Sequence, residues 1–307
     1  MNKIGVGVKK LLVIGGSGMV ASRFVDLAKD KFNITSIDEK ILDITDPLAV
    51  QKYFSENKFD SVINFAAFTN VDAAEADKGN EEGLTYRLNV IGPKNLAASC
   101  NQNDMFLIHI STDFAFSGSE NNPGPYDEDA PIPETSDGIG WYGWTKNRAE
   151  VVLRDTSKKF AIIRYGYPFR ADSYELKKDW ARNLISLYNE QKLYPLFDDQ
   201  IQSILFIDDL VAPLSKVVDE QIAGIFHIAS SDTTTPYEIG KYLLEKYSGK
   251  SVELAKGSMV AFLKAPGRTP RPRLGGLSTQ KTQTTLGIKF KTAKEMVDEF
   301  VSQLTNA

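Results

Sequence analysis

Cysteine and histidine are scarce in this 307-residue chain: Cys100 is its only cysteine, and His109 and His227 are its only histidines. A single cysteine cannot form an internal disulfide bond or help build a zinc site, so no metal site is predicted and a reducing, cytoplasmic location is the simplest expectation. Both histidines lie inside apolar, strand-like runs. We therefore expect them to be buried structural residues.

An excess of positive charge and long apolar runs are also missing. The 36 lysines and arginines are outnumbered by 40 acidic residues, which gives a formal net charge of −4. This balance argues against nucleic acid as a partner. The longest apolar stretches have the length of strands, so the sequence predicts no membrane span. A homodimer is compatible with this composition, which does not determine the oligomeric state.

The first half of the chain alternates short apolar runs with longer amphipathic segments. The runs predicted as buried strands are "LLVIG" (11–15), "ITSID" (34–38), "SVINF" (61–65), "MFLIHI" (105–110) and "FAIIRY" (160–165). The segments predicted as helices are 18–30, 47–57, 81–102 and 142–156. Such alternation is typical of an α/β fold, specifically a Rossmann-type doubly wound parallel sheet.

The alternation becomes less regular after about residue 166. Helices are predicted at "WARNLISLYN", "DDLVAPLSKVVD", "PYEIGKYLLEKYS" and the last 15 or so residues, and a strand at "GIFHIA". Segment 256–278 is rich in Gly, Pro and Arg and is predicted to be a loop. We expect a dinucleotide-binding domain over 1–165 and a smaller C-terminal, mainly substrate-binding part over 166–307, with some segments returning to the first domain.

A glycine-rich turn follows the first predicted strand. Gly15, Gly16 and Gly18 come directly after "LLVI" and at the start of a helix, in the context that the dinucleotide-binding fingerprint requires. Glycine permits a tight turn and a close approach of the backbone to a pyrophosphate, while the helix N-terminus presents N–H groups. The sequence therefore predicts a cofactor site over residues 15–20, which includes Ser17, Met19 and Val20.

An acidic residue, Asp38, closes the second predicted strand. Its carboxylate is placed to accept hydrogen bonds from the adenosine ribose and would repel a 2′-phosphate, which favours NAD(H) while leaving NADP(H) open. Asp43 and Ile44 of "LDITD" are expected near the adenine. Asp46 is expected to cap the next helix, because it precedes Pro47.

Two further patterns suggest a catalytic group. "HISTDF" places Thr112 and Asp113 after a strand, at the sheet edge where ligands bind in such folds. Tyr142 and Lys146 are four residues apart and share one face of a predicted helix. An ammonium near the phenol would lower the pKa of the tyrosine. Alone, the pair could equally be an ordinary aromatic and a surface charge.

Taken together, the motifs resemble those of the extended short-chain dehydrogenase/reductases and, more narrowly, the dTDP-4-dehydrorhamnose reductase family. The resemblance covers most of the chain. It rests on the order of "VIGGSGMV", "LDITD", "VINFAAFTNVDAAE", "LNVIGPKNLA", "HISTDFAFSG", "PYDEDAPIP", "YGWTK", "FIDDLV" and "GIFHIA".

This resemblance implies roles for individual residues. Thr112 would be the catalytic hydroxyl, Tyr142 the acid/base, and Lys146 the residue that binds the nicotinamide ribose. The residues expected to border the cofactor after the third strand are Phe65, Ala66 and Ala67. Those expected to contact a nucleotide-sugar substrate are Thr69, Val71, Asp72, Asp113, Tyr167, Arg271 and Arg273. The two arginines could pair with a diphosphate; solvated loop charges are an equally good interpretation.

Some positions depart from the family pattern. Gln202 and Ile204 in "DDQIQSILF" replace a glycine and a proline, Tyr167 stands where a tryptophan is common, and Phe114 replaces a tyrosine. Three functions therefore remain open. They are reduction of a 4-keto nucleotide sugar, epimerisation or dehydration of such a sugar, and a non-catalytic, NAD(P)-binding regulatory role.

Overall fold

A computed structural model describes residues 8–305, and a six-stranded parallel sheet forms its centre. The strands are β1 (Lys10–Ile14), β2 (Asn33–Ile37), β3 (Ser61–Asn64), β4 (Phe106–Thr112), β5 (Phe160–Tyr165) and β9 (Gly224–His227). Their order is β2-β1-β3-β4-β5-β9. The direction of winding reverses between β1 and β3, so the carboxyl ends of these strands border a crevice typical of nucleotide sites. All six predicted strands are confirmed.

Helices cover both faces of the sheet. They are α1 (Met19–Ala28), α2 (Pro47–Glu56), α5 (Gly92–Gln102), α6 (Trp141–Thr156), α8 (Val211–Glu220) and α11 (Gln280–Leu286). Leu11 and Val13 of β1 pack in one buried cluster with α1 and α8. Leu12 and Ile14 point to the opposite face and pack with α2 and α5. This alternation follows from the two-residue period of a strand, and it confirms the doubly wound fold.

The predicted cap of α2 is present, because the Asp46 carboxylate accepts hydrogen bonds from Leu48 N and Ala49 N. The segment predicted as one helix over 81–102 is less uniform. It follows the short helix α3 (Val71–Glu75) and contains α4 (Leu84–Tyr86), a π-helical turn (Arg87–Ile91) and then α5. Pro93 provides a physical reason, since it has no backbone N–H to donate to the carbonyl four residues earlier.

A second cluster of elements lies beside the sheet. Its helices are α7 (Trp180–Asn189), α9 (Pro236–Ser248) and α12 (Ala293–Thr305), as predicted. Its short parallel strand pairs are β6 (Pro168–Phe169) with β8 (Leu205–Phe206), and β7 (Leu196–Phe197) with β10 (Lys256–Gly257). Their apolar side chains form a separate core that includes Phe169, Phe206 and Phe300. The division at residue 165 stays a prediction; β9 and α8, which come later in the chain, complete the central layer.

The prediction that 256–278 is entirely loop is wrong. The segment contributes β10 and the short helix α10 (Met259–Lys264). Ser258 caps α10, and the Asp199 carboxylate accepts hydrogen bonds from Met259 N and Val260 N. A residue some sixty positions away therefore stabilises the start of this helix, which no local pattern reveals.

His109, His227 and Cys100 are buried, as expected for the two histidines. Burial raises the pKa of the Cys100 thiol to about 12, so it stays protonated and unreactive at neutral pH. Within residues 8–305, no helix is long and apolar enough to cross a membrane, and no cluster of potential metal ligands is found.

Candidate active site

The glycine turn between β1 and α1 is held by backbone contacts. Gly15 N and Gly16 N both donate hydrogen bonds to Ile37 O, at 2.8 and 2.9 Å. Gly15 has a φ of +77°, and a Cβ there would lie 2.7 Å from Ala66 N. Only glycine fits this position without strain. No side chain caps the N-terminus of α1 at Gly18, which leaves the N–H groups of the first turn available to an anionic ligand.

A cavity of about 470 Å³ opens beside this turn at the carboxyl ends of the strands. The predicted site residues that line it are Gly18, Met19, Val20, Phe65, Ala67, Thr69, Val71, Thr112, Asp113, Tyr142, Lys146, Tyr167 and Arg271. Those that do not line it are Gly15, Gly16, Ser17, Asp38, Asp43, Ile44, Ala66, Asp72 and Arg273. The tertiary structure thus brings the three predicted catalytic residues and the start of α1 to one cavity.

The residues expected near the adenosine lie outside that cavity. Asp38 is half-buried directly after β2, where its carboxylate accepts a hydrogen bond from Lys40 N. Asp43 is exposed and accepts one from Thr45 N. The Ile44 side chain is instead buried in the core against Gly92. Contact of these residues with a cofactor stays a prediction.

Helix α6 carries Tyr142 in its first turn, as predicted, and is held close to the end of β4. A Cβ at Gly143 would lie 2.2 Å from Phe114 O, so this glycine permits the close packing. The Glu75 carboxylate accepts a hydrogen bond from Trp141 N at 2.8 Å and serves as a remote cap. Asn89 donates to Thr145 Oγ1 at 3.0 Å and ties the π-helical segment to the same helix.

The electrostatics around Tyr142 differ from the prediction. Burial raises the pKa of the Tyr142 phenol to about 12, and the nearby Thr112 hydroxyl only partly opposes this shift. Lys146 does not lower it, because its amine donates to Ile110 O at 2.7 Å and lies 3.1 Å from His109 Nε2. Burial lowers the pKa of Lys146 itself to about 7, with Glu150 opposing. The expectation of a lowered tyrosine pKa is therefore wrong for this structure.

Side chains on the other side of the cavity are linked by ion pairs and hydrogen bonds. Arg271 Nη2 contacts both oxygens of the Asp72 carboxylate, at 2.7 and 2.8 Å. Arg273 pairs with Glu120 at 2.8 Å, and it lines a smaller adjoining cavity of about 250 Å³ that Arg271 also borders. Two arginines with exposed partners therefore lie along one connected surface.

Asp113 and Tyr167 complete the inner wall. Asp113 is buried, and burial raises the pKa of its carboxyl to about 7. The Tyr167 hydroxyl accepts a hydrogen bond from Gln200 Nε2, which also donates to Pro272 O in the arginine-containing segment. Tyr167 is thus connected to the part of the chain that carries Arg271.

Several lining residues were not predicted, among them Tyr165, Tyr174 and Lys177. Tyr165 ends β5, the neighbour of β4, and the rule that ligands bind at strand ends would have identified it. Tyr174 and Lys177 lie between β6 and α7, in a segment without a periodic pattern. The Tyr174 hydroxyl donates to Ser17 O at 2.8 Å, a contact across 157 residues.

The sheet is doubly wound, and a glycine turn lies where its direction of winding reverses. A Tyr-x-x-x-Lys helix lies beside a threonine at the end of a strand. This combination defines an extended short-chain dehydrogenase/reductase. Within this class, residues 9–306 match the family model described as the RmlD substrate binding domain, and the chain belongs to that family. The predicted family is confirmed.

Its relatives match most of this chain and most of their own length. A probable low-salt glycan biosynthesis reductase from Haloferax volcanii is 31% identical over 83% of this chain and 81% of that protein. The dTDP-4-dehydrorhamnose reductase of Mycolicibacterium smegmatis is 26% identical over 99% of this chain and 89% of its own. The structure of dTDP-4-dehydrorhamnose reductase from Bacillus anthracis in complex with NADP has a TM-score of 0.84 at 24% identity, covering 96% of this chain and 99% of that chain. This last likeness confirms the fold.

Proposed function

We propose that this protein is an NAD(P)H-dependent reductase that acts on a 4-keto nucleotide sugar. The observation that carries the proposal is the meeting of Thr112, Tyr142 and Lys146 in one cavity with the uncapped N-terminus of α1. The names of the relatives support the substrate class, since the M. smegmatis protein is a dTDP-4-dehydrorhamnose reductase.

The residues around the glycine turn fit a dinucleotide. The first turn of α1 offers free N–H groups, and the missing side chain at Gly15 allows the turn after β1 to lie close to the backbone of Ala66, which follows β3. Lys146 would bind the ribose next to the nicotinamide. When bound, the reduced nicotinamide supplies a hydride to the carbonyl carbon.

The protein's own part is to place and protonate the carbonyl oxygen. The Thr112 hydroxyl would donate a hydrogen bond to that oxygen. Tyr142 would transfer its phenolic proton to the same oxygen as negative charge develops there, so that hydride on carbon and proton on oxygen give the alcohol. Because burial keeps the pKa of Tyr142 at about 12, the phenol holds this proton at neutral pH until the alkoxide forms.

The substrate would occupy the side of the cavity opposite the glycine turn. The sugar would lie near Thr69, Val71, Asp113 and Tyr167. Arg271 would bind one phosphate of a diphosphate, and Arg273, which lines the adjoining cavity, would bind the other. The Asp72 and Glu120 side chains that now pair with these arginines are 69% and 80% exposed, so a ligand could replace them.

For the cofactor we favour NAD(H). Asp38 follows β2, and its carboxylate would accept hydrogen bonds from ribose hydroxyls while repelling the 2′-phosphate of NADP(H). NADP(H) is the alternative, because the structure of the B. anthracis protein is a complex with NADP. The preference is tested by direct comparison of the two cofactors.

The decisive variant is Tyr142→Phe, assayed by the loss of reduced nicotinamide with a 4-keto nucleotide sugar. We expect turnover to fall by roughly 10²–10⁴-fold, because the proton donor is lost. The melting shift that the cofactor produces should persist. Tyr53→Phe, on the outer helix α2, is the matched control and should keep full turnover.

Other outcomes would identify the alternative functions. Conversion of the sugar without net loss of reduced cofactor would indicate an epimerase or dehydratase. Binding of cofactor and sugar without any turnover would indicate a regulatory protein. Near-normal turnover by Tyr142→Phe would contradict the assignment of Tyr142.

A further inference from the structure

Residues 170–179, between β6 and α7, form a loop whose two ends are held together. The Asp179 carboxylate accepts a hydrogen bond from Arg170 N at 3.3 Å, and Arg182 Nε donates to Arg170 O at 3.2 Å. Asp179 also caps α7, so this end of the loop is fixed to a helix. A compact surface segment with closed ends is an Ω-loop, a structure that is frequently functional. Residues 170–179 are called the Ω-loop below.

The Ω-loop is fastened to the glycine turn and to the start of α1. The Arg170 side chain is buried, and its Nη1 donates hydrogen bonds to Met19 O at 2.8 Å and to Ser22 Oγ at 2.9 Å. Four residues further on, the Tyr174 hydroxyl donates to Ser17 O at 2.8 Å. The Ω-loop therefore lies against the segment proposed to bind the cofactor.

Lys177, in the same Ω-loop, lines the cavity that the start of α1 also lines. Its side chain is exposed, and within residues 8–305 its amine has no hydrogen bond or ion pair. The other lysine and the arginine that line this cavity are already engaged. Lys146 donates to Ile110 O, and Arg271 pairs with Asp72. Among the described residues that line the cavity, Lys177 is thus the cation whose charge has no partner.

The pyrophosphate of a dinucleotide carries two negative charges. The N-terminus of α1 offers N–H groups and the equivalent of about half a positive charge, which leaves most of the ligand's charge uncompensated. A lysine ammonium is a point charge with three rotatable donors on a flexible stem, and it is well suited to phosphate oxygens. A free lysine beside the start of α1 supplies the charge that the helix lacks.

We propose that Lys177 is a cofactor-binding residue that brings its ammonium to the pyrophosphate of the dinucleotide, together with the N–H groups of α1. The hydrogen bond from Tyr174 to Ser17 positions the Ω-loop for this contact. The inference rests on the proposed function, which supplies the ligand and its place in the cavity. It adds a cofactor contact from outside the central sheet and from a segment without a recognisable motif.

Lys177→Met tests the contact without any assay of turnover. Calorimetric titrations use NADH and ADP-ribose, which share the pyrophosphate but differ in the nicotinamide. We expect the affinity for both ligands to fall about tenfold, because a charge-assisted hydrogen bond is lost. The affinity should also depend less steeply on salt than in the wild type, since exposed charges are screened by ions. The free energy of unfolding should not change.

Lys178→Met is the matched control. Lys178 is the next residue, but it donates to Ser186 Oγ at 3.0 Å and does not line the cavity. This variant should bind NADH as the wild type does, with the same dependence on salt. Tyr174→Phe removes the contact with Ser17 and should weaken NADH binding by about two- to tenfold, as expected for a neutral hydrogen bond. It should keep the wild-type salt dependence.

Limited proteolysis reports on the Ω-loop itself. Lys177 and Lys178 are both exposed, so trypsin should cut after them in the free protein. NADH should slow this cleavage, and Tyr174→Phe should accelerate it in the absence of NADH. Cleavage after the exposed Lys250, which does not line the cavity, should stay the same. Equal protection at Lys250 would contradict a specific contact of the Ω-loop with the cofactor.

The phosphates of the substrate are the other candidate ligand of Lys177, and dTDP is the probe for them. We expect Lys177→Met to leave dTDP binding unchanged. A loss of dTDP affinity with normal NADH affinity would overturn the inference, and so would equal NADH binding by Lys177→Met and Lys178→Met. A protein whose NADH affinity depends on Lys177 but that reduces no sugar contradicts only the proposed function. A reductase whose NADH affinity ignores Lys177→Met contradicts only this inference.

Discussion

The proposed cofactor side and the proposed substrate side of the cavity are built in different ways. On the cofactor side, Gly15 and Gly16 are fixed by backbone hydrogen bonds to Ile37, within the register of the central sheet. On the substrate side, the half-buried Arg271 pairs with the exposed Asp72 carboxylate, 199 residues away in the chain. Exposed ion pairs contribute typically 0–1 kcal/mol. The comparison teaches that the cofactor side is preformed by the fold, whereas the arginines are held by weak pairs that a ligand can exchange.

The largest effect is expected on the preformed side, from Gly15→Ala. The new Cβ would lie 2.7 Å from Ala66 N at a φ of +77°, so the turn must move away from the segment that follows β3. We expect cofactor affinity to fall at least about tenfold, together with a loss of stability on the order of 1–2 kcal/mol from the unfavourable φ. Calorimetric titration with NADH and a denaturation curve measure both quantities.

Gly79→Ala is the matched control for this variant. Gly79 has a φ of +79°, and a Cβ there would meet nothing within 4 Å. It should show a similar loss of stability with unchanged cofactor affinity. Equal loss of affinity in both variants would mean that backbone strain, rather than the contact with Ala66, controls cofactor binding.

A narrower effect, on substrate binding without a loss of stability, is expected on the exchangeable side, from Arg271→Ala. Hydrogen bonds to charged groups contribute about 1.5–3 kcal/mol, so the KM for the nucleotide sugar should rise roughly 10–100-fold. Cofactor affinity and the free energy of unfolding should hardly change. Steady-state kinetics at saturating cofactor give the KM.

Lys281→Ala serves as its control, since Lys281 pairs with Asp129 at the same 2.7 Å but lies outside the cavity. This variant should leave KM unchanged. A large loss of stability in Arg271→Ala would show that the pair with Asp72 is structural, and would remove the contrast between the two sides.

The smallest effect is expected from Asp38→Ser, which alters the far end of the cofactor side. Without the carboxylate, the repulsion of a 2′-phosphate disappears, and the affinity for NADPH relative to NADH should rise by about tenfold, or ~1.4 kcal/mol. Binding titrations with both cofactors measure the ratio, and Glu56→Gln at the exposed end of α2 is the charge-matched control. An unchanged ratio of NADPH to NADH affinity would show that Asp38 does not select the cofactor.

Much of the cofactor side could be predicted because its signals are local. "LLVIGGSG" joins a strand to a helix start, and Asp46 with Pro47 marks the beginning of α2. Tyr142 and Lys146 share a helix face by spacing alone. The π-helical turn and α10 were missed, since Pro93 acts on hydrogen bonding within a helix and Asp199 caps α10 from a distant part of the chain.

The sequence by itself determined the parallel sheet, the glycine turn and the three residues expected to be catalytic, because strand and helix periods and turn chemistry act between near neighbours. Only the tertiary structure decided the ionisation around them. Burial holds the pKa of Tyr142 high and that of Lys146 low. Ionisation depends on solvent exclusion and on partners from separate strands, and neither is encoded in the spacing of a motif.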